Sequence, residues 1–126
     1  MVNKLSLADQ VEFEGLLTRN QLLSFYQSLD AYIHASEGET ICYSIMEAQA
    51  CGLPILASDV EGINNVISEY TGGLLYKNSA KDMATKISTL LDSEEQFYGY
   101  KKQSREAAVT NFTNFNNAAL LYSKLS

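Results

Sequence analysis

The chain has 126 residues, enough for one domain with a buried core. Hydrophobic residues make up 46% and charged residues 19%, a globular rather than a disordered composition. The formal net charge is −6, and of nine scattered basic residues only Lys101 and Lys102 are adjacent, so a nucleic-acid footprint is excluded.

Val11-Glu12-Phe13-Glu14 alternates and stops at Gly15, which reads as a short strand. Thr18 is a candidate N-cap for a helix over 19–28 whose apolar face is Leu22, Leu23, Phe25 and Tyr26. Residues 31–35 read as a second strand. Thr40 then caps a helix over 41–51, which Gly52 ends as a left-handed stop with Pro54 just beyond. Residues 55–57 read as a third strand and 62–68 as a short helix. After Gly72 and Gly73, residues 74–76 read as a fourth strand.

The C-terminal third reads as three helices, over 80–92, 94–109 and 115–124. Strands alternating with helices from 11 to 91 predict an α/β fold, with about four parallel strands joined by helical crossovers. Ligands of such sheets sit at the carboxyl ends of the strands. The loop 36–40 leaves the second strand there, and 58–62 leaves the third.

Cys42 and Cys51 fall at the two ends of one predicted helix, about 13 Å apart, too far for a disulfide. With no CxxC, a reducing compartment is expected. No apolar run approaches 18 residues and no signal-type segment follows Met1. The expected localisation is cytoplasmic, with peripheral membrane contact left open.

The stretch from His34 to Ile55 carries the chemistry. It runs strand, small-residue loop, helix. The helix start near Ile41 to Ser44 offers backbone N–H groups and the positive end of a dipole, an arrangement that suits an anion. Glu39 stands at its rim and Glu47 two turns along, where a carboxylate can accept from neighbouring hydroxyls. The plainer alternative makes Glu39 a helix-favouring charge and Glu47 a solvated residue. His34, on a strand, is expected to fill core space. The aromatics from 97 to 122 are expected to pack the C-terminal helices. Lys101, Lys102 and Arg105 are expected to form a solvated face.

Residues 35–55, read as A-S-E-G-E-T-I-C-Y-S-I-M-E-A-Q-A-C-G-L-P-I, resemble the donor-binding motif of the retaining, GT-B-fold "glycosyl transferases group 1". That motif runs P-S-x-x-E-G-F-G-x-x-x-x-E-A-x-A-x-G-x-P-V. Ala57-Ser58-Asp59-Val60-Glu61-Gly62-Ile63 is similar to the family's A-S-D-V-G-G-I, Gly72-Gly73-Leu74-Leu75 to its x-G-L-L, and Val11 to Gly15 to its V-x-F-x-G. The ordered set covers roughly residues 5 to 124.

The resemblance implies a Rossmann-like, nucleotide-sugar donor-binding domain of a hexosyltransferase-type enzyme in polysaccharide biosynthesis. It implies Glu39 on hydroxyls of the transferred sugar, as the catalytic position, and Glu47 on the ribose diol. Cys42, Tyr43 and Ser44 fall at the diphosphate and Gly15 and Leu16 at the base, with Thr40 and Ile41 also counted among the substrate-binding residues. The family usually needs no metal, so no metal or other cofactor is expected beyond the donor substrate. The acceptor, a glycan or glycolipid, is expected on an N-terminal domain missing here. The whole of 1–126 then reads as one partial donor domain, starting just before its third strand and inactive in transfer by itself.

Thr40-Ile41-Cys42 departs from the family's G-F-G, which motivates an alternative: a non-catalytic interaction module that keeps the fold. The resemblance also leaves Val11-Glu12-Phe13-Glu14 without its usual neighbour. It is expected to pair directly with the strand at 31–35; self-association through an unpaired edge, or fraying, are the other outcomes.

Overall fold

The computed structural model describes residues 1–38, 42–67 and 71–125, with side chains described up to Asn111. Three strands, β1 (Tyr32–His34), β2 (Ile55–Ser58) and β3 (Gly73–Tyr76), form a parallel sheet in the order β1-β2-β3. Tyr32 pairs with Ile55, and Ile55 with Gly73. Four α-helices accompany it: α1 (Arg19–Ser28), α2 (Tyr43–Ala50), α3 (Ala80–Leu90) and α4 (Glu94–Leu125). The fold is α/β, as the alternation predicts. Two single-turn 3-10 helices, Asn3–Leu5 and Ala8–Gln10, precede α1.

Local chemistry accounts for the element ends. The Thr18 side chain accepts from the Gln21 amide, and the Gln21 side chain accepts from the Thr18 amide at 2.9 Å, a reciprocal cap that starts α1 where expected. Gly52, at φ +72°, ends α2. Its N–H donates to Gln49 O at 2.9 Å, and that of Leu53 to Ala48 O at 3.1 Å, the paired bonds of a left-handed helix stop. All four residues of β2 are buried, as a central parallel strand covered on both faces requires. The core joins Tyr26 of α1, Cys42, Ile45 and Ala48 around α2, Ile55 and Ala57 of β2, and Ile63 and Ile67.

Several expectations are corrected. The segment Val11 to Glu14 is extended at Val11 but belongs to no strand, so it does not pair with β1. Its alternation has no buried face: Phe13 is 82% exposed, and both glutamates are exposed too, so pairing would bury nothing. Among the described residues the expected four strands are therefore three. Of the helix expected over 62–68, residues 62–66 form turns and residue 68 lies outside the described residues. The helices at 94–109 and 115–124 are one continuous α4; the Asn and Thr residues from 110 to 117 lower helix propensity, but no proline interrupts it. The helix expected from 41 begins at Tyr43, with Cys42 as N-cap and no side-chain capping bond.

α4 is seated on the rest by its N-terminal half. The buried Ser104 hydroxyl donates to Gly72 O at 3.1 Å, and the same carbonyl accepts from the Ile55 amide at 3.0 Å. Arg105 is not merely solvated: its guanidinium donates to Ala50 O at the C-terminus of α2, where a cation complements the helix dipole. Lys101 lies over the rings of Phe97 and Tyr98, and Lys102 pairs with Glu106 at 3.9 Å on the surface. Tyr100 is buried, Phe97 half-buried and Tyr98 exposed; the aromatics beyond 111 lie outside the described side chains. Among the described residues no helix is long and apolar enough to cross a membrane.

Candidate functional site

The carboxyl end of β1 leads through Ala35 and Ser36 toward the start of α2. Ser58, at the end of β2 and fully buried, clips that loop. Its hydroxyl accepts from the Ser36 amide at 3.1 Å and donates to Ser36 O at 2.7 Å. The Ser36 hydroxyl in turn bonds both backbone groups of Gly38 at 3.3 Å. Ser58→Ala would leave two backbone groups of Ser36 without their partner. We expect a loss of about 1–3 kcal/mol and faster hydrogen exchange at the Ser36 amide. Unchanged exchange there would mean that the clip does not hold the loop.

Glu39, Thr40 and Ile41 lie outside the described residues. Cys42, Tyr43 and Ser44 occupy the N-cap and first two positions of α2, so their amides belong to the helix start. The Cys42 side chain is buried, with its sulfur 3.4 Å from His34 Nε2 and 3.5 Å from Ser44 Oγ. His34 is half-buried; its Nδ1 is 3.3 Å from the Tyr32 hydroxyl, and its ring stacks on Tyr32. It therefore packs under the helix start. Cys42 and Cys51 are both thiols. The Cys51 thiol is pushed up from its ordinary value, first by burial, against the lowering influence of Arg105.

Glu47 projects from the middle of α2 into a cleft between α1 and α2 of about 340 Å³. Arg19, Asn20, Leu22, Leu23 and Tyr26 form one wall, and Glu47, Ala50 and Cys51 the other. The Tyr26 hydroxyl donates to Glu47 Oε2 at 3.1 Å. Burial, then Tyr32 and Glu47, hold Tyr26 well above the ordinary phenol range, so the hydroxyl keeps its proton. Glu47 stands about 6 Å along the axis from Tyr43. Gly15 and Leu16 do not join this cleft: Gly15 turns the chain at φ +67°, and Leu16 is fully exposed.

Sequence reasoning assigned Tyr26 to the apolar face of α1 and missed its hydroxyl; a tyrosine in a helical core stripe needs a polar partner, which was the available signal. Among the described residues no cluster of three or more His, Cys, Asp or Glu side chains is placed to hold a metal ion.

The parallel sheet, the Ser58 loop clip, the start of α2 and the α1–α2 cleft define an α/β protein with a candidate site at α2, and comparison with known proteins gives the family. The family model of glycosyl transferases group 1 matches residues 1–108, and the chain belongs to that family, in which it corresponds to the C-terminal domain of the GT-B fold. It is 32% identical over 122 residues to the sulfoquinovosyl transferase SQD2 of Arabidopsis thaliana, covering 87% of this chain and 24% of that protein. Sucrose-phosphate synthase from Thermosynechococcus elongatus superimposes with TM-score 0.81 at 26% identity, over 98% of this chain and 32% of that one. Anabaena Alr3699/HepE, solved with UDP and glucose, does so with TM-score 0.82 at 22% identity, over 97% of this chain and 34% of that one. The chain thus spans about a quarter of SQD2 and a third of the solved chains.

Proposed function

We propose that this chain supplies the donor side of a retaining glycosyltransferase, which moves a hexose-type sugar from a nucleotide diphosphate sugar to a glycan or glycolipid acceptor. The observation that carries the reading is Glu47 in the α1–α2 cleft, one helical turn along from the start of α2. The diphosphate lies at the amides of Cys42, Tyr43 and Ser44, where the helix dipole opposes its charge and stabilises it as a leaving group. The ribose diol lies on Glu47. The transferred sugar lies at Glu39, a role that rests on the sequence resemblance. The fold accommodates UDP and glucose in Alr3699/HepE, which supports a nucleotide-sugar donor without fixing the base. The acceptor is held by a further domain, and this chain alone binds donor without transferring sugar.

Ligand-observed saturation-transfer NMR with UDP, GDP, ADP and their glucose conjugates tests this on the wild-type chain and on Glu47→Ala. We expect transfer to one nucleotide family. A hydrogen bond to a charged group is worth about 1.5–3 kcal/mol, so the variant should weaken binding about tenfold or more. A folded wild-type chain that receives no transfer from any of them would turn the assignment toward a non-catalytic interaction module.

A further inference from the structure

We propose that Tyr26 is a positioning residue of the donor site: its hydroxyl holds one oxygen of Glu47 so that the other faces the ribose diol. The inference rests on the reading of Glu47 as the ribose ligand.

The two partners differ in how they are held. The Tyr26 ring is 4% exposed, packed edge-on to Tyr32 at 5.8 Å between centroids and tilted against Phe25 at 6.0 Å. The core therefore fixes where its hydroxyl sits. Glu47 is an exposed residue with a long, rotatable side chain. Its one bond to Tyr26, at 3.1 Å, ties the mobile group to the fixed one. The direction of that bond is set by chemistry, because an ionised carboxylate only accepts. Tyr26 donates to Oε2, which leaves the acceptor capacity of the other oxygen to a ligand in the cleft that Glu47 lines. A diol presents two donors to such an oxygen; a sugar lacking both hydroxyls presents none. Holding the carboxylate before the ligand arrives removes an ordering cost from binding, and does so only for a ligand that uses the carboxylate.

The test compares UDP, GDP and ADP with their 2′,3′-dideoxy analogues on the full chain, wild type and Tyr26→Phe. The variant keeps the ring and deletes the hydroxyl. The wild type should prefer the ribo form of the nucleotide that it binds. Tyr26→Phe should lose about five-fold in affinity for the ribo form with little change for the dideoxy form, so the preference collapses while thermal unfolding stays near the wild-type temperature. A folded Tyr26→Phe chain with an undiminished ribo preference would assign Tyr26 to packing alone and overturn the proposal.

The wild type gives an independent reading should the variant not fold. A nuclear Overhauser contact between the Tyr26 hydroxyl proton and the Glu47 methylenes should persist when nucleotide is added. Its disappearance on binding would also overturn the proposal. Equal binding of ribo and dideoxy forms by the wild type is a separate result: the ribose reading of Glu47 then fails, and this inference with it.

Discussion

Gly72→Ala should be among the most damaging small substitutions in this chain. The residue has φ +78°, a backbone conformation that costs a side-chain-bearing residue about 1–2 kcal/mol. A Cβ there would stand 2.2 Å from Ser104 Oγ, 2.3 Å from Ser104 N and 2.5 Å from Tyr100 O. Two of these atoms are helix backbone, so a side-chain rotation cannot relieve the contact. Either α4 moves off the sheet or β3 shifts at its first residue. Overpacking of this kind costs about 1–3 kcal/mol or more, and the Ser104 bond to Gly72 O adds about 1 kcal/mol when lost. We expect a total near 3–6 kcal/mol, a large part of a typical stability of about 5–15 kcal/mol. Urea unfolding measures it, as a midpoint lowered by about 2 M for slopes near 1–3 kcal/mol/M. Gly99 on the same helix is the control: a Cβ there meets nothing within 4 Å, so Gly99→Ala should be neutral or stabilising by up to about 1 kcal/mol. If both variants unfold alike, α4 is not seated at Gly72 as described.

Ile45→Ala should destabilise by about 2–5 kcal/mol. Ile45 lies in the first turn of α2, is fully buried, and belongs to the core cluster with Tyr26, Ile55 and Ile63. Its removal leaves a cavity where the start of α2 is pressed onto the sheet. The effect should therefore extend beyond stability. Below the unfolding transition, the variant should bind nucleotide more weakly, because the amides at the helix start and the Glu47 carboxylate ride on the same short helix. Chemical denaturation gives the first quantity, and the NMR titration at low temperature gives the second. A destabilised variant with wild-type nucleotide affinity would show that core packing beneath α2 does not set the geometry of the site.

What could be read in the sequence was local. The Thr18 cap and the Gly52 stop depend on residues a few positions apart, and the structure keeps both as expected. The apolar run at 55–57 was short and bounded, so it could be placed as a buried strand, and β2 adds only Ser58. The failures were of another kind. Alternation at Val11 to Glu14 describes a half-buried strand, but burial needs a partner that the alternation does not name. The break expected between helices over 94–109 and 115–124 is absent, because the Asn and Thr residues between them have only weakly unfavourable propensities, which a long helix carries without interruption.

The site divides in the same way. Glu47, assigned through the family motif, lines the α1–α2 cleft; Glu39, assigned through the same motif, falls outside the described residues. The roles expected for Gly15 and Leu16 at the base rest on the family resemblance, and the two residues do not line the α1–α2 cleft. Tyr26 meets Glu47 across 21 positions of sequence, a contact created by the packing of α1 against α2.

The carbonyl of Gly72 has two lone pairs, and the fold uses one for the Ile55 amide and the other for the Ser104 hydroxyl. A sheet bond and a helix anchor thus share a single atom. Lifting the docked half of α4 also disturbs the acceptor on which β2 begins its pairing with β3. Detachment of the helix and opening of the sheet are then coupled steps of one cooperative unit, and the mechanical independence usual for a long C-terminal helix is lost at that point.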